Sequence, residues 1–354
     1  MKRKCLAVGI ILLFVATGII PSTAQNIEKP SLPTSRGDWL YVGGSGPGNY
    51  TRIQDAIDNA SDGDTIYVYH NLSPYHENIL INKSINLIGE NKANTIILGD
   101  YNIAINIKSN NVKVSRFTIK ISGLNSIGIY ISSDFNEITD NIISESATGI
   151  QLYYASNNQI YKNLITNTTG LGIYLQVESS NNSIYKNSIK YTGGGGMLIF
   201  YSSSNNFIFR NLVEHGRGIF IWYQSNSNYI FTNSIENNSD TYDGGISLYQ
   251  SNSNVIYKNN IVNNTHNGIN LYWCKNNKII RNKFQFNQED ASFFDSYFNY
   301  WFGNYWQKPR ILPKIIIGWF NLEIPPVGPD IIIFKFDIHP ALIPPYIPPA
   351  GCDT

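Results

Sequence analysis

The chain has 354 residues, with 26 Lys and Arg against 25 Asp and Glu, and three cysteines. A charge balance so near neutral gives no electrostatic footprint for nucleic acid, and three cysteines exclude a disulfide framework.

The first element is a leader. Lys2, Arg3 and Lys4 precede an apolar run from Leu6 to Ile20, and Ser22-Thr23-Ala24 offers small residues for cleavage. Residues 1–24 therefore read as a secretory signal peptide, which predicts a secreted or cell-envelope protein. Later apolar stretches such as "IIIGWF" and "IIIFKF" are too short to span a bilayer. Of the cysteines beyond the leader, Cys274 and Cys352 can pair with each other or stay as thiols.

Residues 39–110 form an N-terminal cap and first rungs. A strand leads through a Gly-rich loop to Thr51, which can cap a short helix with Ile53, Ala56, Ile57 and Ala60 on one face. The loop lacks the Gly-Lys-Ser/Thr ending of a phosphate loop.

From 111 to 306 the chain repeats. A phrase Asn-x-Ile-x-x-Asn begins at residues 136, 158, 182, 206, 228, 254 and 277, a period of 22 to 26. A Gly-apolar-x-apolar phrase follows, as in Gly149-Ile150-Gln151-Leu152 and Gly268-Ile269-Asn270-Leu271. Each copy holds three short segments with apolar residues two apart, the period of a strand. One copy cannot bury its apolar face alone, but stacked copies share a continuous interior. The fold class is therefore all-β: a single-stranded parallel β-helix of three-strand coils, each with about six inward aliphatics. The repeated asparagines are placed at its corners, stacking from rung to rung. From 307 to 354 prolines crowd the sequence, with pairs at Pro325-Pro326, Pro344-Pro345 and Pro348-Pro349. This segment reads as a C-terminal cap and extended tail, a docking segment for a surface-layer or other protein partner.

"YVGGSGPGNYTRIQDAIDNASDGDTIYV", "YHENILINKSINLIGEN", the Asn-x-Ile-x-x-Asn coils and "NYWFGNYW" resemble the NosD-like right-handed parallel β-helix proteins. These belong with the carbohydrate-binding and sugar-hydrolase β-helices of the pectin-lyase-like fold. The resemblance covers roughly residues 39 to 306 and implies a right-handed coil. The group includes polysaccharide lyases, hydrolases, epimerases, archaeal surface proteins and a periplasmic protein linked to copper-enzyme maturation. Copper binding would need soft ligands, and the His residues and Met197 form no cluster with cysteine in the sequence.

Two features carry chemistry. The segment from each second Asn to its Gly varies in length, and variable loops of a solenoid often lie on its binding face. The shortest, "LVEHGRG", carries Glu214, His215 and Arg217. The longest, "ENNSDTYDGG", carries Glu236, Asp240 and Asp243, and the next adds His266. Glu214, His215, Arg217, Asp240, Asp243 and His266 are the candidate catalytic residues: carboxyl acid, carboxylate or His base, and Arg for an anionic sugar. Asp240, Asp243 and Glu214 can also hold calcium. The second feature is aromatic. Tyr161 and Tyr185 recur in the opening phrase, ahead of Lys162, Lys186, Arg210, Lys258 and Arg281. Phe200, Tyr201, Trp222, Tyr223, Tyr249, Tyr272 and Trp273 follow the Gly phrase. Exposed rings suit sugar faces and a basic stripe suits an acidic glycan, whereas rings that stack between rungs would be structural. The expected function is glycan binding at the cell surface. A polysaccharide lyase, hydrolase or epimerase, and a purely structural adhesion protein, are the alternatives.

Overall fold

The structure, a computed structural model, describes residues 37–239, 243–321 and 330–348. The leader, Asp240 and Cys352 lie outside the described residues. Among the described residues no helix is long and apolar enough to cross a membrane.

The strand-period segments of each copy become one turn of a coil. Gln159–Tyr161 joins sheet A, Leu164–Thr168 sheet B and Leu171–Gln176 sheet C, before Ser183–Tyr185 returns to sheet A beside the first strand. The sheets contain 12, 11 and 12 strands respectively. Successive turns pair in parallel and in register: Ile160 lies on Ile184, then Ile208, Ile230 and Ile256. All five are fully buried. The final pair of sheet C, Lys314–Asn321 with Asp330–Asp337, is antiparallel. At the other end the helix Ile53–Asn59 buries Ile53, Ala56 and Ile57 in the core. Its cap is not Thr51. Arg52 holds the N-cap position, and the Glu77 carboxylate accepts from the N–H groups of Ile53 and Gln54 at 2.8 and 2.9 Å.

The number of buried aliphatics varies between turns: Val112, Val114, Ile119, Ile121, Ile129 and Ile131 make six in an early one, and Ile160, Ile165, Ile173 and Leu175 make four in a later one. Each contributes about 1.5–3 kcal/mol by leaving water. Two buried asparagines, Asn158 and Asn163, complete that turn. Asn163 Nδ2 donates to Asn187 Oδ1 in the next turn (3.1 Å) and to Ile138 O in the previous one (2.9 Å). Its neighbours repeat the pattern from Asn141 to Asn304, so the amides of this column are satisfied and three turns are tied by one side chain. The sharp bend falls on the residue before each ladder amide: φ is +59° at Asn157 and +55° at Lys162. Gly149, second in its sheet-C strand Thr148–Tyr153, has no room for a side chain: a Cβ there would sit 2.6 Å from both Gly172 O and Ile165 Cγ2.

Two further ladders run beside these. Asn238, Asn264 and Asn287 link at 3.1 and 2.9 Å. Backbone N–H groups of Ala155, Ser179 and Ser225 donate to Ser179, Ser203 and Ser251 Oγ at 3.2 Å. Cys274 occupies a place in this hydroxyl column, fully buried, and its own N–H donates to Ser296 Oγ. Burial pushes its thiol up to about 12.

Candidate functional site

The aromatic residues of the opening phrase form one column on the outside of sheet A. Tyr161, Tyr185, Phe209 and Phe231 stack face to face at 4.8, 4.9 and 4.9 Å, within 8° of parallel. Their faces are covered by one another, so Tyr161 and Tyr185 present edges rather than sugar-sized planes. The Tyr161 hydroxyl donates to Glu137, and burial with that carboxylate raises its pKa to about 12.

Sheet C is different. Its strands end on an outward aromatic followed by a second residue that turns the chain: Tyr153-Tyr154, Phe200-Tyr201, Trp222-Tyr223 and Tyr272-Trp273. Tyr154, Tyr201, Tyr223 and Trp273 have φ of +49°, +53°, +53° and +50°. An L-residue pays about 1–2 kcal/mol there, and a glycine would remove that cost. These rings are 55%, 56%, 39% and 43% exposed. They meet neighbours edge-on or tilted: Phe200–Tyr223 at 5.3 Å, Tyr223–Tyr249 at 5.0 Å and Tyr249–Trp273 at 5.1 Å. Their faces therefore remain open along a belt in which Val177 takes the corner between Tyr154 and Tyr201, and Gln250 takes it between Tyr223 and Trp273, where the Tyr249 ring bridges them. Trp222 is half-buried, stacked on Phe220 at 4.9 Å.

Beside the belt, the outward row of sheet C becomes polar and buried at Ser247, Asn270 and Ser292. Asn267 Nδ2 donates to Ser292 Oγ (3.1 Å), and the Ser292 hydroxyl donates to Asn270 Oδ1. Asn270 Nδ2 in turn reaches the Tyr272 hydroxyl (2.9 Å) and Asp243 Oδ1 (3.4 Å). Burial, then the Asp243 charge, raises the Tyr272 pKa. Asn267 Oδ1 and His266 Nδ1 are buried without a hydrogen-bond partner.

The six candidate catalytic residues thus divide. Glu214 lies on sheet B, in register with Lys190 and Glu236. His215 stacks on Tyr191 at 5.0 Å, and its Nε2 is 3.8 Å from Glu214. Asp243 joins Asn270 on sheet C, while His266 acts on Glu289, whose carboxyl is pushed up by burial and pulled down by that histidine. Arg217 is exposed, and Asp240 lies outside the described residues. Among the described residues no three His, Cys, Asp or Glu side chains gather as metal ligands. Sequence reasoning missed Asn267, Asn270, Ser292 and Glu289. Their signal was the third residue of the Gly phrase, which changes from Gln, Tyr, Leu and Phe to Ser247, Asn270 and then Ser292.

Comparison with known proteins agrees with this architecture. Residues 77–234 match the family model described as "Right handed beta helix region". The A-module of the Azotobacter vinelandii mannuronan C-5 epimerase AlgE6 superposes with a TM-score of 0.53 at 14% identity, covering 71% of this chain and 88% of that one. The Dettilon tailspike protein gives 0.51 at 13% identity, covering 74% and 59%. The chain therefore has the right-handed parallel β-helix fold. A curated cell surface glycoprotein of Methanothermus fervidus is 36% identical over 106 residues, which are 30% of this chain and 17% of that protein.

Proposed function

We propose that this is an exported surface protein that binds glycan chains along the sheet-C aromatic belt. The observation that carries the reading is the exposure of four aromatic rings, Tyr154, Tyr201, Tyr223 and Trp273, at one corner of the coil, with faces not covered by their neighbours. Flat exposed rings with a polar edge suit sugar faces. The signal-like leader and the local similarity to a cell surface glycoprotein support a surface location. A broad glycan array with the exported chain tests the reading, followed by titration of any glycan bound. Tyr223→Ala and Trp273→Ala should each weaken binding about tenfold and leave thermal stability nearly unchanged. Asn211→Ala should lower stability and leave affinity intact. An empty array, or belt variants that bind like the parent, would leave a structural surface protein.

A second reading rests on Asp243, Asn270 and Tyr272 beside the belt: turnover of a bound acidic glycan by a lyase, hydrolase or epimerase. Asp243→Asn should then abolish turnover, with calcium present or absent, while binding survives. Unchanged product formation in that variant would remove the reading.

A further inference from the structure

The corner between sheets A and B carries a second periodic feature, on a different edge from the belt. The residue before each second ladder asparagine is Lys162, Lys186, Arg210, Thr232, Lys258 and Arg281 in six successive turns. All six have a left-handed backbone, φ between +52° and +55°, so their side chains leave the coil in the same direction at the same place in each turn. Glycine or asparagine holds this conformation at less cost, yet five of the six positions keep a cation. Lys162, Arg210 and Arg281 are exposed and Lys258 half-exposed. Among the described residues none of these four forms an ion pair. The preceding turn has Asp140 at this position, its carboxylate 2.8 Å from Lys92 Nζ, so the track is closed at that end by a neutralised acid.

The spacing of the track is fixed by the fold. The adjacent aromatic column gives 4.8 to 4.9 Å per turn, about the length of one pyranose unit in an extended chain. Successive sugars of an extended chain turn their acidic groups to different sides, and Lys and Arg side chains are long enough to reach either edge. A column of cations at that interval therefore keeps pace with a linear polymer bearing one acidic group per sugar. Exposed cations over high-dielectric solvent attract weakly one by one, and a repeated match lets the contributions add along one ligand.

We infer that this corner is a track for a linear acidic polysaccharide lying parallel to the coil axis, one carboxylate or sulfate per turn, with a gap at Thr232. It does not depend on the belt and stands if the belt binds nothing.

The test uses the exported chain with polygalacturonate and its fully methyl-esterified form. Binding should require the free carboxylates and weaken with salt. Galacturonate oligomers should gain affinity up to six units, one per position of the track, and little beyond. Lys162→Gln, Arg210→Gln and Lys258→Gln together should reduce affinity about tenfold or more and flatten the salt dependence. Thr232→Lys, filling the gap, should raise affinity about two- to fivefold. In a Tyr223→Ala, Trp273→Ala background, where the belt cannot contribute, the need for free carboxylates and for Lys162, Arg210 and Lys258 should persist, which separates the track from the belt. Equal binding of the esterified polymer, equal binding of a single-stranded nucleic acid, or a Thr232→Lys variant no tighter than the parent would each overturn the inference.

Discussion

Asp337 ends the ladder that Asn304 belongs to. Its buried carboxylate accepts from Asn304 N at 2.9 Å and Asn304 Nδ2 at 3.0 Å, and also from Trp306 Nε1, Gly303 N and His339 N. The ladder has a direction, because each Nδ2 points toward the C-terminal turn. Its last member therefore needs an acceptor, and a carboxylate offers only acceptors. Asp337→Ala should cost at least about 3 kcal/mol, read as a lowered denaturation midpoint. Asp337→Asn should fall in between, since one of its two side-chain atoms becomes a donor facing donors. A variant as stable as the parent would show that the hairpin does not seal the coil.

Tyr201 is 56% exposed with φ of +53°. Tyr201→Gly removes the ring and relieves the backbone, so stability should hold or rise by up to about 1 kcal/mol. Glycan affinity should fall. A large loss of stability would mean the ring is structural.

Tyr161 and Tyr75 have pKa values raised to about 12, in each case chiefly by burial. A phenol whose pKa is higher in the folded state lends stability that is complete below about pH 10 and is lost as pH climbs from 10 toward 12. Phenolate absorbance followed against pH should show late-titrating tyrosines, and Tyr161→Phe should remove one of them. Full ionisation of every tyrosine near pH 10 with the fold intact would contradict the hydrogen bond to Glu137.

Cys274 sits in the hydroxyl column with a thiol pushed up to about 12 by burial. In a Cys352→Ser background it should resist alkylation until the chain is denatured. Cys274→Ser should fold at least as well, because serine already fills this place at Ser251 and Ser296. Rapid labelling of the native protein would place the thiol at the surface.

The coil was legible in the sequence because the same local solution is written many times. Ile160, Ile184 and Ile208 fall at one place in each copy, and parallel stacking is what aligns them. The division of labour at each bend was less legible. Lys162 and Asn163 are adjacent and both polar, yet the first turns the chain and the second is buried. Asn238, Asn264 and Asn287 each follow a ladder asparagine by five residues, a spacing present in the sequence but diluted by its many other asparagines. The grouping of site residues was hidden for a geometric reason. Glu214 and Asp243 belong to neighbouring turns, but one lies on sheet B and the other beside sheet C, separated by a corner. Asp337 was beyond reach, since its partner lies 33 residues earlier across a proline-rich segment.

The polarity of the asparagine ladders makes molecular length a free variable. Each turn offers the next one the donors it received from the last, as Asn163 does for Asn187 and Asn187 for Asn211. Removing residues 164–187, or duplicating them, would cut and rejoin the chain at equivalent atoms, with Glu77 and Asp337 still closing the two ends. Such a protein can be shortened or lengthened in whole steps, like a ruler with interchangeable segments, and whatever is displayed on its corners is spaced out or drawn together by the same increment.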